Sequence, residues 1–237
     1  MKRKMTPRER TYVRILLPIL VLFFLFNTLP MIQGFIYSFT NYKGYGSYDW
    51  VGLRNYMDLF TDERVWHSYF FTFKYAICGT ILVNVLALAL AIGLNAKIRF
   101  KSALRGIYFI PNILGGLIIG YIFSFLFTYI LPAVGQYFGI SWLQNSILSS
   151  PDTAWIGVLI VGVWQAVAMT TIIYISGLQT VPEDVYEASK IDGAGKWTEF
   201  RKVTLPLIIP FVSTNLLLTT KNFMMVFDQI MSLTKGG

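Results

Sequence analysis

Residues able to carry chemistry are few in this chain of 237. Gly193-Ala194-Gly195-Lys196 is a glycine-rich stretch that ends in lysine and could, on type alone, cradle a phosphate. A P-loop needs a glycine five residues before its Gly-Lys pair and Ser or Thr after it, because the backbone wraps the phosphates and the hydroxyl holds Mg²⁺. Lys190 and Trp197 occupy those places. If ATP drives this protein, another chain hydrolyses it. His67 is the single histidine and Cys78 the single cysteine. Neither has partners at ligand or nucleophile spacing, and a lone cysteine allows no internal disulfide. No catalytic residue, metal ligand or cofactor is therefore assigned to this chain.

The elements that would position any site are apolar. The chain is 55% hydrophobic, 16% aromatic and 14% charged, where a soluble domain carries about 25% charged residues. This composition describes an integral membrane protein. The net charge of +8 falls in the joints between apolar runs rather than on a polar domain, which argues against a nucleic-acid partner. Five runs read as transmembrane helices: 15–39, interrupted by Pro18 and Pro30, then 69–94, 105–131, 154–177 and 205–227. The first is too long for a signal peptide and lacks a small-residue cleavage site. The joints are the basic terminus 1–14, an external loop 40–68, an inside loop 95–105, an external loop 132–153, a polar loop 178–204 and an external end 228–237. A short surface helix is expected at Leu53–Phe60, Lys74 is near enough to a membrane surface to snorkel, Pro111-Asn112 suggests a kink, and Gly115, Gly116 and Gly120 permit close helix packing.

Orientation follows from the bases. The segments 1–14, 95–105 and 178–204 carry six, four and four Lys or Arg; 41–67, 132–153 and 228–237 carry three, none and one. The positive-inside rule puts the N-terminus and the 178–204 loop in the cytoplasm. The five runs contain no acid and no histidine, Asp228 lying at the edge of the fifth. A proton-relay carrier or membrane-embedded hydrolase would need ionisable groups there. The intramembrane charge that remains is Lys221, which at mid-bilayer costs about 2.5–3.5 kcal/mol. With Asn215, Thr219, Thr220 and Asn222 it makes a polar stretch in the fifth run. Two readings stand: a stripe lining a translocation cavity, or snorkelling combined with helix-to-helix hydrogen bonds.

The polar segment Thr180–Pro210 organises the rest. Thr180 and Glu183 have capping-box spacing, Pro182 suits a first helical turn, and Glu183 and Asp184 suit a positive helix end. Asp192-Gly193 should stop that helix, a second short helix is expected at Lys196–Lys202, and Leu205-Pro206 should open the next span. A helix of this length is marginal alone in water, so a pair fixed between spans reads as a docking knob.

Glu187-Ala188-Ser189, Gly193 and then Val203-Thr204-Leu205-Pro206 resemble the EAA motif of ABC importer permeases, with Ser189 for the usual second Ala and Val203 for the usual Ile. The wording VYEASKIDGA…F…VTLPLIIP looks like the subgroup that imports sugars. Val51-Gly52-Leu53-Arg54-Asn55-Tyr56 resembles its external GL-x-NY signature, and Phe227-Asp228-Gln229-Ile230 with Leu233-Thr234-Lys235-Gly236-Gly237 its FD-x-I…LT-x-GG segment. The resemblance implies an all-α, polytopic type I importer transmembrane domain, with five helices visible of an expected six, in a bacterial cell membrane. It implies a second permease chain, two ATP-binding subunits holding ATP and Mg²⁺, an extracellular solute-binding protein, and a sugar or oligosaccharide as substrate. The ATPase-coupling residues it implies are Glu187, Ala188, Ser189, Asp192, Gly193 and Pro206. The solute path in the family is lined mainly by the spans beside this loop, which makes Trp164, Gln165, Asn215, Thr219, Lys221 and Asn222 candidates. An indole face suits a sugar's C–H surface and an amide its hydroxyls, although a Trp in a span is more often packing. A non-sugar solute such as glycerol phosphate, and a membrane scaffold or enzyme unrelated to ATP, are the alternatives.

Overall fold

The computed structural model describes residues 6–95, 106 and 112–236. Among them all regular elements are helical, beside one isolated bridge between Thr40 and Trp50. In chain order these are α1 (Pro7–Tyr37), α2 (Arg54–Thr61), α3 (Glu63–Asn95), α4 (Gly116–Phe138), α5 (Pro151–Leu178), α6 (Glu183–Ile191), α7 (Lys196–Leu207), α8 (Ile209–Met224) and α9 (Asp228–Thr234). Helices α1, α3, α4 and α5 are long and apolar enough to cross a membrane, and α7 with α8 make a fifth span if the pair, bent by 72°, is counted as one. The inside loop 95–105 and Pro111 lie almost wholly outside the described residues; the helix breaks after residue 113, at Leu114-Gly115.

Several helices start before their apolar runs because polar residues cap them. Helix α1 begins at Pro7 rather than residue 15: Glu9 N donates to Thr6 Oγ1 at 3.3 Å and Thr6 N to Glu9 Oε2 at 2.7 Å, a closed capping box. Helix α3 begins at Glu63, not 69, where Asp62 accepts from the Arg64 backbone at 2.9 Å and from its guanidinium at 2.9 Å. Those bonds, the side-chain one first, hold the Asp62 carboxyl below its ordinary range. Ser150 caps α5 by accepting from Asp152 N, so that helix opens at Pro151 instead of 154.

Proline explains the other differences. Wide π-type turns occupy 24–28, 126–130 and 200–204, and each is followed directly by Leu-Pro: Leu29-Pro30, Leu131-Pro132 and Leu205-Pro206. Proline cannot donate to the preceding turn and its ring presses on that carbonyl; one widened turn absorbs both defects without ending the helix. Hence α4 continues through Pro132 to Phe138, and Leu205-Pro206 does not open the fifth span. The chain turns instead at Ile208 (φ −95°, ψ 4°), which is fully buried, with Pro210 in the first turn of α8.

By internal packing the chain divides into residues 1–68 and 69–237. Within the first, the short helix expected at Leu53–Phe60 is α2, and the Asn and Tyr of the GL-x-NY signature hold it to the end of α1. Asn55 Nδ2 donates to the Ser38 and Thr40 carbonyls at 2.9 and 2.8 Å, and Tyr56 shares a 2.6 Å hydrogen bond with Ser38. Within the second, the α3, α4, α5, α8 and α9 side chains form a core that includes Tyr75, Val83, Ile119, Val161, Phe223 and Leu233. Small residues permit it: a Cβ at Gly79 would fall on the Phe223 ring, one at Gly162 on the Tyr75 hydroxyl, and one at Gly120 on Ser232 Oγ. Residues 228–234, expected as part of an external end, are thus a helix whose Ser232 and Leu233 are buried. Lys74, expected to snorkel, places Nζ 3.7 Å above the Trp155 ring.

Candidate functional site

The polar loop is a braced pair of helices. Pro182, in extended backbone, is the N-cap of α6, and Thr180 Oγ1 donates to Gly177 O at 2.7 Å. The capping box expected of Thr180 and Glu183 does not form, because the threonine instead finishes the end of α5. Glu183 and Asp184 lie in the first turn and Lys190 in the last, as the helix dipole favours. At the other end Gly193 N donates to Lys190 O and Ala194 N to Ser189 O, both at 3.0 Å, with Gly193 at φ +76°. This is a complete Schellman stop. Ser189 is buried and its hydroxyl donates to Tyr186 O at 2.9 Å and to Glu199 Oε2 at 3.1 Å. Thr204, also buried, donates to Tyr186 Oη at 3.3 Å. These bonds tie α6 to α7, and the hydroxyl at Ser189 does what the usual alanine could not. Glu187, Ala188 and Asp192 remain exposed, as do Pro206 and the apolar Ile191 and Trp197. Val181, Tyr186, Leu205 and Ile208 seat the pair on Ala87 and Ala91 of α3 and Tyr174 and Leu178 of α5.

The polar stretch of α8 divides into two faces. Asn215 and Thr219, one turn apart, are 1% and 3% exposed. Asn215 Nδ2 donates to Thr170 O at 3.2 Å, Thr219 Oγ1 donates to Asn215 O at 2.6 Å, and Thr219 Oγ1 accepts from Asn84 Nδ2 at 3.0 Å. Asn84 Oδ1 accepts from the Tyr174 hydroxyl at 2.6 Å. The two α8 residues are thereby engaged in a knot joining α3, α5 and α8. Asn84 and Tyr174 were not singled out in the sequence, although an asparagine inside an apolar run was a signal to find one of them.

Lys221 and Asn222, on the other face, line a polar cavity of about 410 Å³ together with Asn112, Gln165, Asp228 and Gln229. It lies beside the 225–227 break between α8 and α9 and level with the middle of α5, in which Gln165 is the fifteenth of 28 residues. Gln165 Nε2 donates to Leu114 O at 3.2 Å and its Oε1 accepts from Gln229 Nε2 at 2.9 Å. Trp164 points elsewhere. Its ring packs on Phe123 at 5.1 Å and it borders an apolar groove with Leu82, Leu86, Leu90 and Val163. The cavity therefore gathers Gln165, Lys221 and Asn222, and leaves out Trp164, Asn215 and Thr219. Its Asp228 and Gln229 were missed as lining because their segment read as an external end.

Comparisons agree with this architecture. Residues 83–234 match the family model described as binding-protein-dependent transport system inner membrane component. A multiple sugar-binding transport system permease of Streptococcus mutans is 40% identical over 96% of this chain and 78% of its own length. A probable starch degradation products transport system permease of Thermoanaerobacterium thermosulfurigenes is 38% identical over 88% of this chain and 71% of its own. A crystal structure of a bacterial ABC transporter that imports the acidic polysaccharide alginate superposes with a TM-score of 0.81 at 20% identity, covering 96% of this chain and 78% of that one; at that identity the likeness concerns the fold. The chain belongs to the binding-protein-dependent transport system inner membrane components, as a multi-pass membrane permease and not an enzyme.

Proposed function

We propose that this chain is one permease subunit of an ABC importer that carries a sugar or oligosaccharide into the cytoplasm. Likeness along nearly its whole length to permeases named for sugars carries the reading. In it, a second, similar permease chain completes the pathway, an external binding protein delivers the solute, and two ATP-binding subunits holding ATP and Mg²⁺ dock on the cytoplasmic loops. The exposed Glu187, Ala188 and Asp192, with Ile191 and Trp197 beside them, supply polar and apolar contacts to the ATPase. ATP-driven closure then pushes α6 and α7 as one body, since Ser189–Glu199 and Tyr186–Thr204 bond them together. The push reaches α3 and α5 through the seat around Tyr186 and Ile208, and solute and ATP each bias which side of the membrane the pathway faces. The solute path runs by the Gln165–Lys221–Asn222 cavity, whose amides can exchange hydrogen bonds with hydroxyls.

Deletion of this gene from its host, followed by uptake of radiolabelled maltose, raffinose and maltotriose, tests the reading. The expected result is loss of at least one uptake, restored by the chain supplied on a plasmid. Unchanged uptake of every sugar alongside lost uptake of glycerol phosphate would replace the sugar by the anion.

A further inference from the structure

The polar cavity has one wall that is fastened rather than merely packed. Helices α4 and α9 meet at very small separations: a Cβ on Gly116 would lie 3.0 Å from Asp228 Cβ, and one on Gly120 would fall on Ser232 Oγ. Two helices in such close contact move together, because side chains at the seam have no room to slide. Of this pair, α9 lines the cavity through Asp228 and Gln229, opposite Gln165 and Ala166 of α5, and Gln165 reaches both α9 and the segment that leads into α4. Its amide N–H holds the Leu114 carbonyl at the break that precedes α4, while its carbonyl holds the Gln229 amide in the first turn of α9. One side chain in the middle of α5 thus uses its donor on the segment that leads into α4 and its acceptor on the first turn of α9. Asp228, which follows the 225–227 break, precedes Gln229 directly, so the same fastening also sets where that carboxylate stands on the cavity's edge.

We infer that Gln165 is a positioning residue that latches the α4–α9 pair to α5 and so keeps the polar cavity narrow, and that the latch must part for the cavity to widen. The latch stands on the cavity's geometry and holds for any solute; it does not depend on the sugar reading. A net neutral hydrogen bond is worth about fivefold in a population and two about thirtyfold, which sets the size of the effect.

The test is done on the assembled transporter in membranes of its host, in a Cys78→Ala background. Asn222→Cys reports on the cavity, and the fully buried Val161→Cys reports on general loosening. Both are reacted with a small water-soluble methanethiosulfonate. Gln165→Met should raise the labelling rate at position 222 about five- to thirtyfold and leave position 161 unlabelled. Gln229→Met, which removes one bond from the opposite helix, should raise it about fivefold, and the double variant should match Gln165→Met alone. Gln165→Glu keeps the acceptor for Gln229 and should fall between wild type and Gln165→Met. An unchanged rate at position 222, equal increases at 222 and 161, or a double variant that multiplies the two single effects would each overturn the latch.

Discussion

Replacement of Gly193 isolates the backbone's part in coupling. Its φ of +76° is in the left-handed region, and a Cβ built there meets nothing within 4 Å. A substitution is therefore strained by its own backbone and not by its surroundings. For an ordinary L-residue the left-handed conformation costs about 1–2 kcal/mol, and for a β-branched residue it is a true outlier. Asparagine tolerates it. At that cost the correctly capped population falls about five- to thirtyfold for Gly193→Ala and further for Gly193→Val. The alternative backbone gives up the bonds to Ser189 O and Lys190 O, and with them the angle between α6 and α7. The assay is substrate-stimulated ATP hydrolysis by the assembled transporter in proteoliposomes, normalised to permease present in the membrane. Gly193→Asn should stay near wild type, Gly193→Ala should lose severalfold, and Gly193→Val should lose coupled activity while still inserting. Asn and Val are of similar volume, so a contact-size effect would impair them alike. Equal impairment, or a fully active Val variant, would refute the backbone argument.

Three further outcomes follow from the packing. Gly120→Ala places a methyl on Ser232 Oγ and should destabilise the protein by about 1–3 kcal/mol as overpacking, read as a lower melting midpoint in detergent; Ser232→Gly in the same chain should recover part of it. Asn84→Ala removes the partner of Thr219 and Tyr174; at about 0.6–1.7 kcal/mol per intramembrane hydrogen bond it too should lower the midpoint, and an unchanged midpoint would show the knot to be idle. Ser189→Ala severs the bond to the Glu199 carboxylate at a cost of about 1.5–3 kcal/mol, and should reduce stimulated more than basal ATP hydrolysis. Equal reduction of both would mean that the α6–α7 brace does not transmit the push.

The sequence made the helical class and the long apolar runs legible, because hydropathy is a one-dimensional quantity. The stop at Gly193 was also legible, since few residues other than glycine fit that conformation. Legibility failed where a residue had two local choices. Thr180 could cap the helix ahead or close the one behind, and the Gly177 carbonyl took it. Pro132 and Pro206 could end helices or be absorbed, and a wide turn before each absorbed them. It failed again where meaning depended on a distant partner. Asn84 gains its role only from Tyr174 and Thr219. Asp228 and Gln229 read as an external end until α9 was seen folded against α4 and beside Gln165. Asn215 and Lys221, six residues apart in the sequence, belong to one polar stretch with two open readings, and helical rotation divides it between a buried, hydrogen-bonded face and a cavity face.

The most direct test of the central claim is photo-cross-linking from α6. A benzoylphenylalanine in place of the exposed Glu187 is activated in native membranes, and the covalent product is identified by mass spectrometry. The account predicts a P-loop ATPase as the product, lost when the photoprobe is moved to the exposed Leu217 on α8. Products consisting only of lipid, or of proteins with no nucleotide site, would contradict it.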